Sequence, residues 1–346
     1  MPNRTTDFRS DNVATVSPEI LQALGRANIG PAAAYGDDEY SRELDRRFSA
    51  LFETEVKVFP VSTGTAANAL ALAACARPYG GIYCHEVAHI HTSEGGATEM
   101  FTGGTKLIPL PGDGFRLQAQ LLAETLAQAG IGQRHKPQPD AISVTQATEH
   151  GTCYSLDELH VIAELARGNR LRLHMDGARF ANALATLDCT PAAMTSRIGV
   201  DILSFGATKN GCMNTEAIVV FDQSLIEGLS YRLRRAGQTW SKMRYAAVQL
   251  LAYVEDDLYL RSARRANALA KRLEAGLAGL SQARLVAPVQ ADLVFVELPE
   301  PAIAALAAEG FLFHRRSPTR IRLVTHFDGT DEEVEQFLAA ARRHLN

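Results

Sequence analysis

The chain has 346 residues, 46% of them hydrophobic and 21% charged, with a formal net charge of −4. This balance excludes a disordered chain and leaves no basic surplus for nucleic acid or an anionic membrane. The five cysteines (Cys75, Cys84, Cys153, Cys189 and Cys212) are odd in number and scattered, without C-x-x-C spacing. That argues against a disulfide framework or zinc ribbon and for a reduced, cytoplasmic protein.

The segment Met1 to Asn12 is polar and lacks an apolar signal core. Val56 to Val61 is rich in β-formers, and the small-residue run Ala66 to Ala76 predicts a helix too short to span a bilayer. Gly81 to Cys84, Thr105 to Leu110 and Asp140 to Thr145 read as further short strands. Leu117 to Ala129 and Leu156 to Arg167 carry helical apolar spacing. Arg170 to Met175, Asp201 to Phe205 and Ala217 to Phe221 complete the strands. Such alternation predicts a mostly parallel sheet covered by helices. The short basic cluster Arg232 to Arg235 reads as a solvated helix face, and Ser241 to Leu280 as one or two long helices.

A small α+β unit follows. Ala291 to Leu298 and Arg320 to His326 are strands, and Ala302 to Glu309 is a helix. Thr330-Asp331-Glu332-Glu333 has capping-box spacing and opens a last helix. The expected division is 1–255 for the N-terminal segment and large domain, and 256–346 for the small C-terminal domain.

Parallel α/β sheets place their sites at the carboxyl ends of the strands. Ser62-Thr63-Gly64-Thr65, His85, Gln146, Asp176 and Lys209 all fall just after a predicted strand. Thr63-Gly64-Thr65 precedes a helix whose N-terminal N–H groups suit a phosphate, although the same residues also suit an ordinary N-cap. Asp176 at one strand end and Lys209 at the next suit a pyridinium cofactor held as a Schiff base. A carboxylate facing the pyridine nitrogen keeps it protonated, and the ring becomes an electron sink.

These segments resemble the threonine aldolase family of fold-type-I pyridoxal-phosphate (PLP) enzymes. The resemblance rests on Asp176-Gly177-Ala178-Arg179 followed by Ser204-Phe205-Gly206-Ala207-Thr208-Lys209-Asn210-Gly211. It extends to Arg9-Ser10-Asp11-Asn12, to Ala34-Tyr35-Gly36-Asp37-Asp38, to Ser62-Thr63-Gly64-Thr65-Ala66-Ala67-Asn68 and to Arg320-Ile321-Arg322-Leu323-Val324-Thr325-His326. The matches run from residue 9 to 326 in family order. They imply a transferase-like α/β fold with a large, mostly parallel sheet and a small C-terminal α+β domain.

The resemblance also implies roles. Lys209 carries pyridoxal 5'-phosphate, Asp176 pairs with its ring nitrogen, and Arg179 meets its 3-oxygen side. Thr63, Gly64 and Thr65 cradle the phosphate. His89 stacks on the ring and assists proton transfer, with His85 and His91 as neighbours in sequence. Ser10, Arg322 and Tyr35 bind substrate. Arg320, on the same strand face as Arg322, reads as a surface ion pair instead. Where many members carry a histidine after the fifth strand, this chain has Glu149 followed by His150. Glu149 is therefore the candidate base from that segment, with His150 and His89 as rivals. A homotetramer with shared sites is implied, with Arg235, Lys242 or Arg244 reaching a neighbour's phosphate.

The expected reaction is retro-aldol cleavage of L-threonine, L-allo-threonine and related β-hydroxy-α-amino acids to glycine and an aldehyde, through an external aldimine and a quinonoid. The alternatives are a phenylserine-preferring aldolase and a PLP β-eliminating lyase. A remote one is a zinc peptidase, because His85-Glu86-Val87-Ala88-His89 fits H-E-x-x-H. That chemistry requires both histidines on one helix; here Gly80-Gly81 and a short strand come just before.

Overall fold

A computed structural model describes residues 6–345 of the chain, so Met1 to Thr5 of the polar N-terminal segment lie outside the described residues. Seven strands form the main sheet: β1 (Lys57–Val61), β2 (Gly80–His85), β3 (Lys106–Leu110), β4 (Gln138–Thr145), β5 (Arg172–Gly177), β6 (Ile202–Phe205) and β7 (Glu216–Val220). Their spatial order is β1-β7-β6-β5-β4-β2-β3. The run from β3 to β6 is parallel, and β7 is antiparallel to both of its neighbours. Strands β2, β6 and β7 are buried along their whole length, which is why they read as mostly apolar runs rather than alternating ones. His174 braces the middle of the sheet, bonded to Ser143 at 2.9 Å and Ser204 at 3.0 Å.

A second sheet is antiparallel throughout, in the order β10-β11-β9-β8. It comprises β8 (Arg284–Leu285), β9 (Leu293–Glu297), β10 (His314–Ser317) and β11 (Arg320–Val324). The final helix, Asp331–Leu345, opens with the expected capping box: Glu333 N–H donates to Thr330 Oγ1 and Thr330 N–H to Glu333 Oε2.

Each sheet has its own core. The helix Leu258–Ala278 joins them, giving Leu258, Tyr259 and Ala263 to the first and Leu269, Leu273 and Leu277 to the second. Just before it, Asp256 and Asp257 take left-handed backbone conformations (φ 49° and 55°) that end the preceding helix Arg244–Val254. The second core also recruits the N-terminal segment. Phe8 packs edge-on against Phe337 at 5.5 Å, and its backbone bonds to Leu312 and Val324. Residues next to Ser10 thus lie with the C-terminal unit, across the division expected at residue 255. No helix among the described residues is long and apolar enough to cross a membrane.

Candidate active site

A cavity of about 310 Å3 opens where β1, β4, β5 and β6 end. That volume is within the range of small-ligand sites. Strand register fixes its floor: Thr145 pairs with Asp176, and Asp176 with Ser204. The strand ends also approach closely at Gly206, where an added Cβ would lie 2.4 Å from the carbonyl oxygen of Ala178. Only glycine fits there, so the two segments carrying Asp176 and Lys209 are held in contact.

Lys209 sits on the single turn Thr208–Asn210. Asn210 anchors that turn through its amide, which donates to Tyr253 Oη at 2.7 Å and Tyr259 O at 2.8 Å. Glu216, at the start of β7, accepts from Ala207 N–H at 2.5 Å. Burial raises the Glu216 carboxyl above its usual range, opposed by the backbone of Ala207 and by the Lys209 cation.

Across the cavity, Thr63 caps the helix Gly64–Cys75 by accepting from Ala66 N–H at 3.1 Å. The first N–H groups of the helix, at Gly64 and Thr65, have no carbonyl of the helix to bond. A Cβ at Gly64 would meet nothing within 4 Å, so the backbone there faces open space. Ser62, just before, donates to Gln238 Oε1 from both its backbone and its hydroxyl.

Asp176 is buried, and both carboxylate oxygens are held. Oδ2 accepts from Asn68 Nδ2 at 2.8 Å and Oδ1 from Ala178 N–H at 3.0 Å. His89 lines the same cavity, and its Nδ1 lies 2.9 Å from Glu94 Oε1. That bond raises the affinity of His89 for a proton, against burial. Glu149 accepts from His89 backbone N–H at 2.7 Å and Thr145 Oγ1 at 2.9 Å, both at Oε1. Burial, with Asp176 nearby, pushes its carboxyl up to about 7.

The cavity therefore brings together Thr63, Gly64, Thr65, His89, Glu149, Asp176, Arg179 and Lys209. Ser10, Tyr35 and Arg322 are not in its wall. Ser10 caps the turn Asp11–Val13. Arg322 is half-buried; Nη2 donates to Arg9 O at 2.8 Å, while Nε is buried with no partner among the described residues. Burial and Arg316 lower its pKa to about 10, still well above neutrality. Tyr35 is exposed, in a left-handed conformation (φ 63°), beneath the guanidinium of Arg234. Arg320 pairs with Glu297 at 2.6 Å, as expected.

Two rivals are displaced. His150 is stacked between Phe115 and Phe295, outside the cavity wall, and burial lowers its pKa to about 4. His85 ends β2, whereas His89 begins the four-residue helix His89–Thr92. The H-E-x-x-H run thus crosses a strand end and a turn rather than lying on one helix. Both ring nitrogens of His85 are engaged by backbone: Nδ1 accepts from Val87 N–H, so Nε2 donates to Gly112 O. The peptidase alternative has no geometric basis.

Sequence reasoning assigned no role to Glu94, Asn68, Thr145 or Glu216. Asn68 carried a readable signal, as a polar residue deep in an alanine-rich helix. Glu94 carried none, since Ser93 to Gly96 has no periodic pattern.

The model of the family described as "Beta-eliminating lyase" matches residues 7–300. A protein of Pseudomonas aeruginosa named low specificity L-threonine aldolase is 42% identical over 315 residues, covering 91% of this chain and 90% of that protein. The chain belongs to the beta-eliminating lyase family, among its threonine aldolases. A Pseudomonas protein of the same name (strain NCIMB 10558) is 41% identical with the same coverage. The solved structure of Leishmania major threonine aldolase superposes on this lyase with a TM-score of 0.92 at 27% identity, covering 98% and 99% of the two chains. The expected fold, a large mostly parallel sheet with a small α+β unit, is the one this lyase adopts, and the sheet of the small unit is antiparallel.

Proposed function

We propose that the protein is a low-specificity L-threonine aldolase, a carbon–carbon lyase that uses pyridoxal 5'-phosphate. It cleaves L-threonine and L-allo-threonine to glycine and acetaldehyde. The observation that carries this reading is the gathering of Asp176, Lys209, His89 and the Thr63-Gly64-Thr65 turn around one cavity. Those residues fit the cofactor. The turn offers N–H groups and open space to a phosphate, a fixed carboxylate suits a ring nitrogen, and an amine suits a carbonyl carbon. Lys209 would hold the cofactor covalently, Asp176 its ring nitrogen, Arg179 its 3-oxygen side, and His89 its ring face.

When bound, the cofactor supplies an electron sink for the pair released from the substrate's Cα–Cβ bond. The chain's own residues do the rest. Arg322 lies outside the cavity wall, but, tied through Nη2 to the backbone beside Ser10 and with Nε unpartnered among the described residues, it would serve as a donor for the substrate carboxylate. Holding that carboxylate fixes which bond at Cα faces the sink. Glu149 is the base for the β-hydroxyl proton. Oε1 is occupied by His89 and Thr145, so Oε2 receives the proton. A carboxyl titrating near 7 accepts and returns a proton at neutral pH.

A homotetramer with shared sites would give the exposed Tyr35, and one of Arg235, Lys242 and Arg244, a neighbouring cavity to reach. A fully active monomer in sedimentation would defeat that part. Five free cysteines suit a cytoplasmic setting. The decisive test is Lys209→Ala. It is expected to lose both the bound-cofactor absorbance and the cleavage of threonine, and retention of both overturns the reading. The family description favours one second reading, β-elimination. Products separate the two: glycine plus aldehyde, or keto acid plus ammonia.

A further inference from the structure

Between the two halves of the site runs an unbroken hydrogen-bonded chain, His89–Glu94–Asn68–Asp176. The links are 2.9, 2.8 and 2.8 Å. Three of its members are buried, and His89 is half-buried at the cavity wall. The proton positions follow from the donor set. Asn68 Nδ2 faces two carboxylate oxygens. Reversing the amide would set its carbonyl oxygen against both, so its two N–H bonds are committed, one to Glu94 and one to Asp176. Glu94 Oε1 is thereby an acceptor. Even a protonated Glu94 would carry its hydrogen on Oε2, so the bond to His89 is donated from Nδ1–H.

We propose that Glu94 is a positioning residue of this site. By accepting Nδ1–H of His89 and one amide hydrogen of Asn68 at a single oxygen, it leaves His89 Nε2 as the nitrogen that meets a ligand. It also keeps Asn68 turned so that its second hydrogen rests on Asp176. The residue stands in an irregular segment, after the short helix His89–Thr92 and before Gly95 and Gly96, both in left-handed conformations. Among the described residues, Glu94 Oε2 is buried without a partner. A buried acid with one oxygen unsatisfied is costly unless the other serves a purpose.

The charged groups facing His89 are Glu94 and Asp176, which favour its protonation, and Lys209, which opposes it; Glu149 bonds its backbone N–H. The hydrogen bond to Glu94 is the largest influence on the ring, ahead of the charges of Asp176 and Glu94, so replacing that carboxylate acceptor with a neutral amide lowers the pH at which His89 titrates.

This inference rests on the aldolase reading for its kinetic arm and stands without it for its spectroscopic arm. The holoenzyme is prepared with 15N-histidine, as wild type, as Glu94→Gln and as Glu94→Leu. In the wild type the His89 ring is expected in the Nδ1–H form. Glu94→Gln keeps an acceptor oxygen and should keep that form while titrating at lower pH. Glu94→Leu should lose the preference for Nδ1–H. For threonine cleavage, the pH limb assigned to His89 should move down in Glu94→Gln. In Glu94→Leu, kcat should fall on the order of 100-fold with KM changed about threefold or less. An unchanged His89 titration in Glu94→Gln overturns the proposal, even should Glu94→Leu fail to fold. So does an Nδ1–H form that persists in a folded Glu94→Leu. A wild type that shows the expected ring signals but cleaves no threonine overturns the aldolase reading and leaves the positioning role standing.

Discussion

Glu149 is placed where stability and chemistry pull in opposite directions. Burial and the nearby Asp176 raise its carboxyl from 4.5 to about 7. Between those values the folded protein holds a proton that the unfolded chain releases. Stability contributed by this group is therefore complete below the lower value and is lost as pH rises through the upper one. Glu149→Gln removes the titration. In cofactor-free protein the variant should match wild type near pH 4.5 and melt roughly 2–5 °C higher at pH 8. Cleavage of threonine should fall about 100-fold or more, and the pH limb near 7 should vanish. Melting curves at the two pH values check the first part, and steady-state rates the second. A variant with full activity places the base elsewhere. His150, caught between two phenylalanine rings and held neutral, is a poor substitute.

At the scale of elements, the turn from β1 into the helix Gly64–Cys75 is the part whose geometry most clearly awaits an anion. Helix chemistry alone would favour alanine at residue 64, since glycine costs about 1 kcal/mol in a helix. The space above Gly64 is free of protein atoms, so Gly64→Ala should leave the melting temperature unchanged or slightly raised. Affinity for pyridoxal phosphate should fall about tenfold, a change of roughly 1.4 kcal/mol, as followed by fluorescence titration of apo-protein. Unaltered affinity would mean that the phosphate lies away from Gly64. This turn was legible in the sequence because a strand, a T-G-T run and a small-residue helix leave few arrangements. Strand β6 was legible because a strand covered on both faces is a mostly apolar run, broken here only by Ser204. Strand β10, His314–Ser317, is exposed throughout and has no apolar pattern to read. The reversed direction of β7 left no trace either, since a period of two is the same read both ways. The histidine pair at 85 and 89 shows the opposite failure, a spacing that fits a helix where the backbone makes a strand end and a turn. Asp176 and Lys209 could be placed because strand ends are visible in sequence. Glu94 could not, because it stands in an irregular segment and its partner Asn68 comes from a helix distant in sequence.

Over the whole molecule, the two cores meet at a buried charge cluster. Arg179, just after β5, pairs with Asp11 of the N-terminal segment at 2.8 Å and with Asp292, just before β9, at 3.0 Å. The three side chains are at most 12% exposed. One cation thus holds the large sheet, the small sheet and the segment that carries Ser10 in a single arrangement. Burial drives the Asp292 carboxyl up to about 7. Asp11, equally buried, is held below its ordinary range by the charge of Arg179 and, further off, of Lys209. Replacing Arg179 with methionine keeps much of the volume and leaves two buried carboxylates without their shared partner. Breaking a buried pair in this way costs about 3–5 kcal/mol. The cost depends on pH in a definite direction. Without the guanidinium both folded-state pKa values rise, so the variant's deficit is smallest where both acids stay protonated and grows as pH climbs through those values. Arg179→Met should therefore melt several degrees below wild type at pH 8 and differ less at pH 5. A deficit equal at the two pH values would mean that packing of the arginine stem, rather than its charge, joins the units.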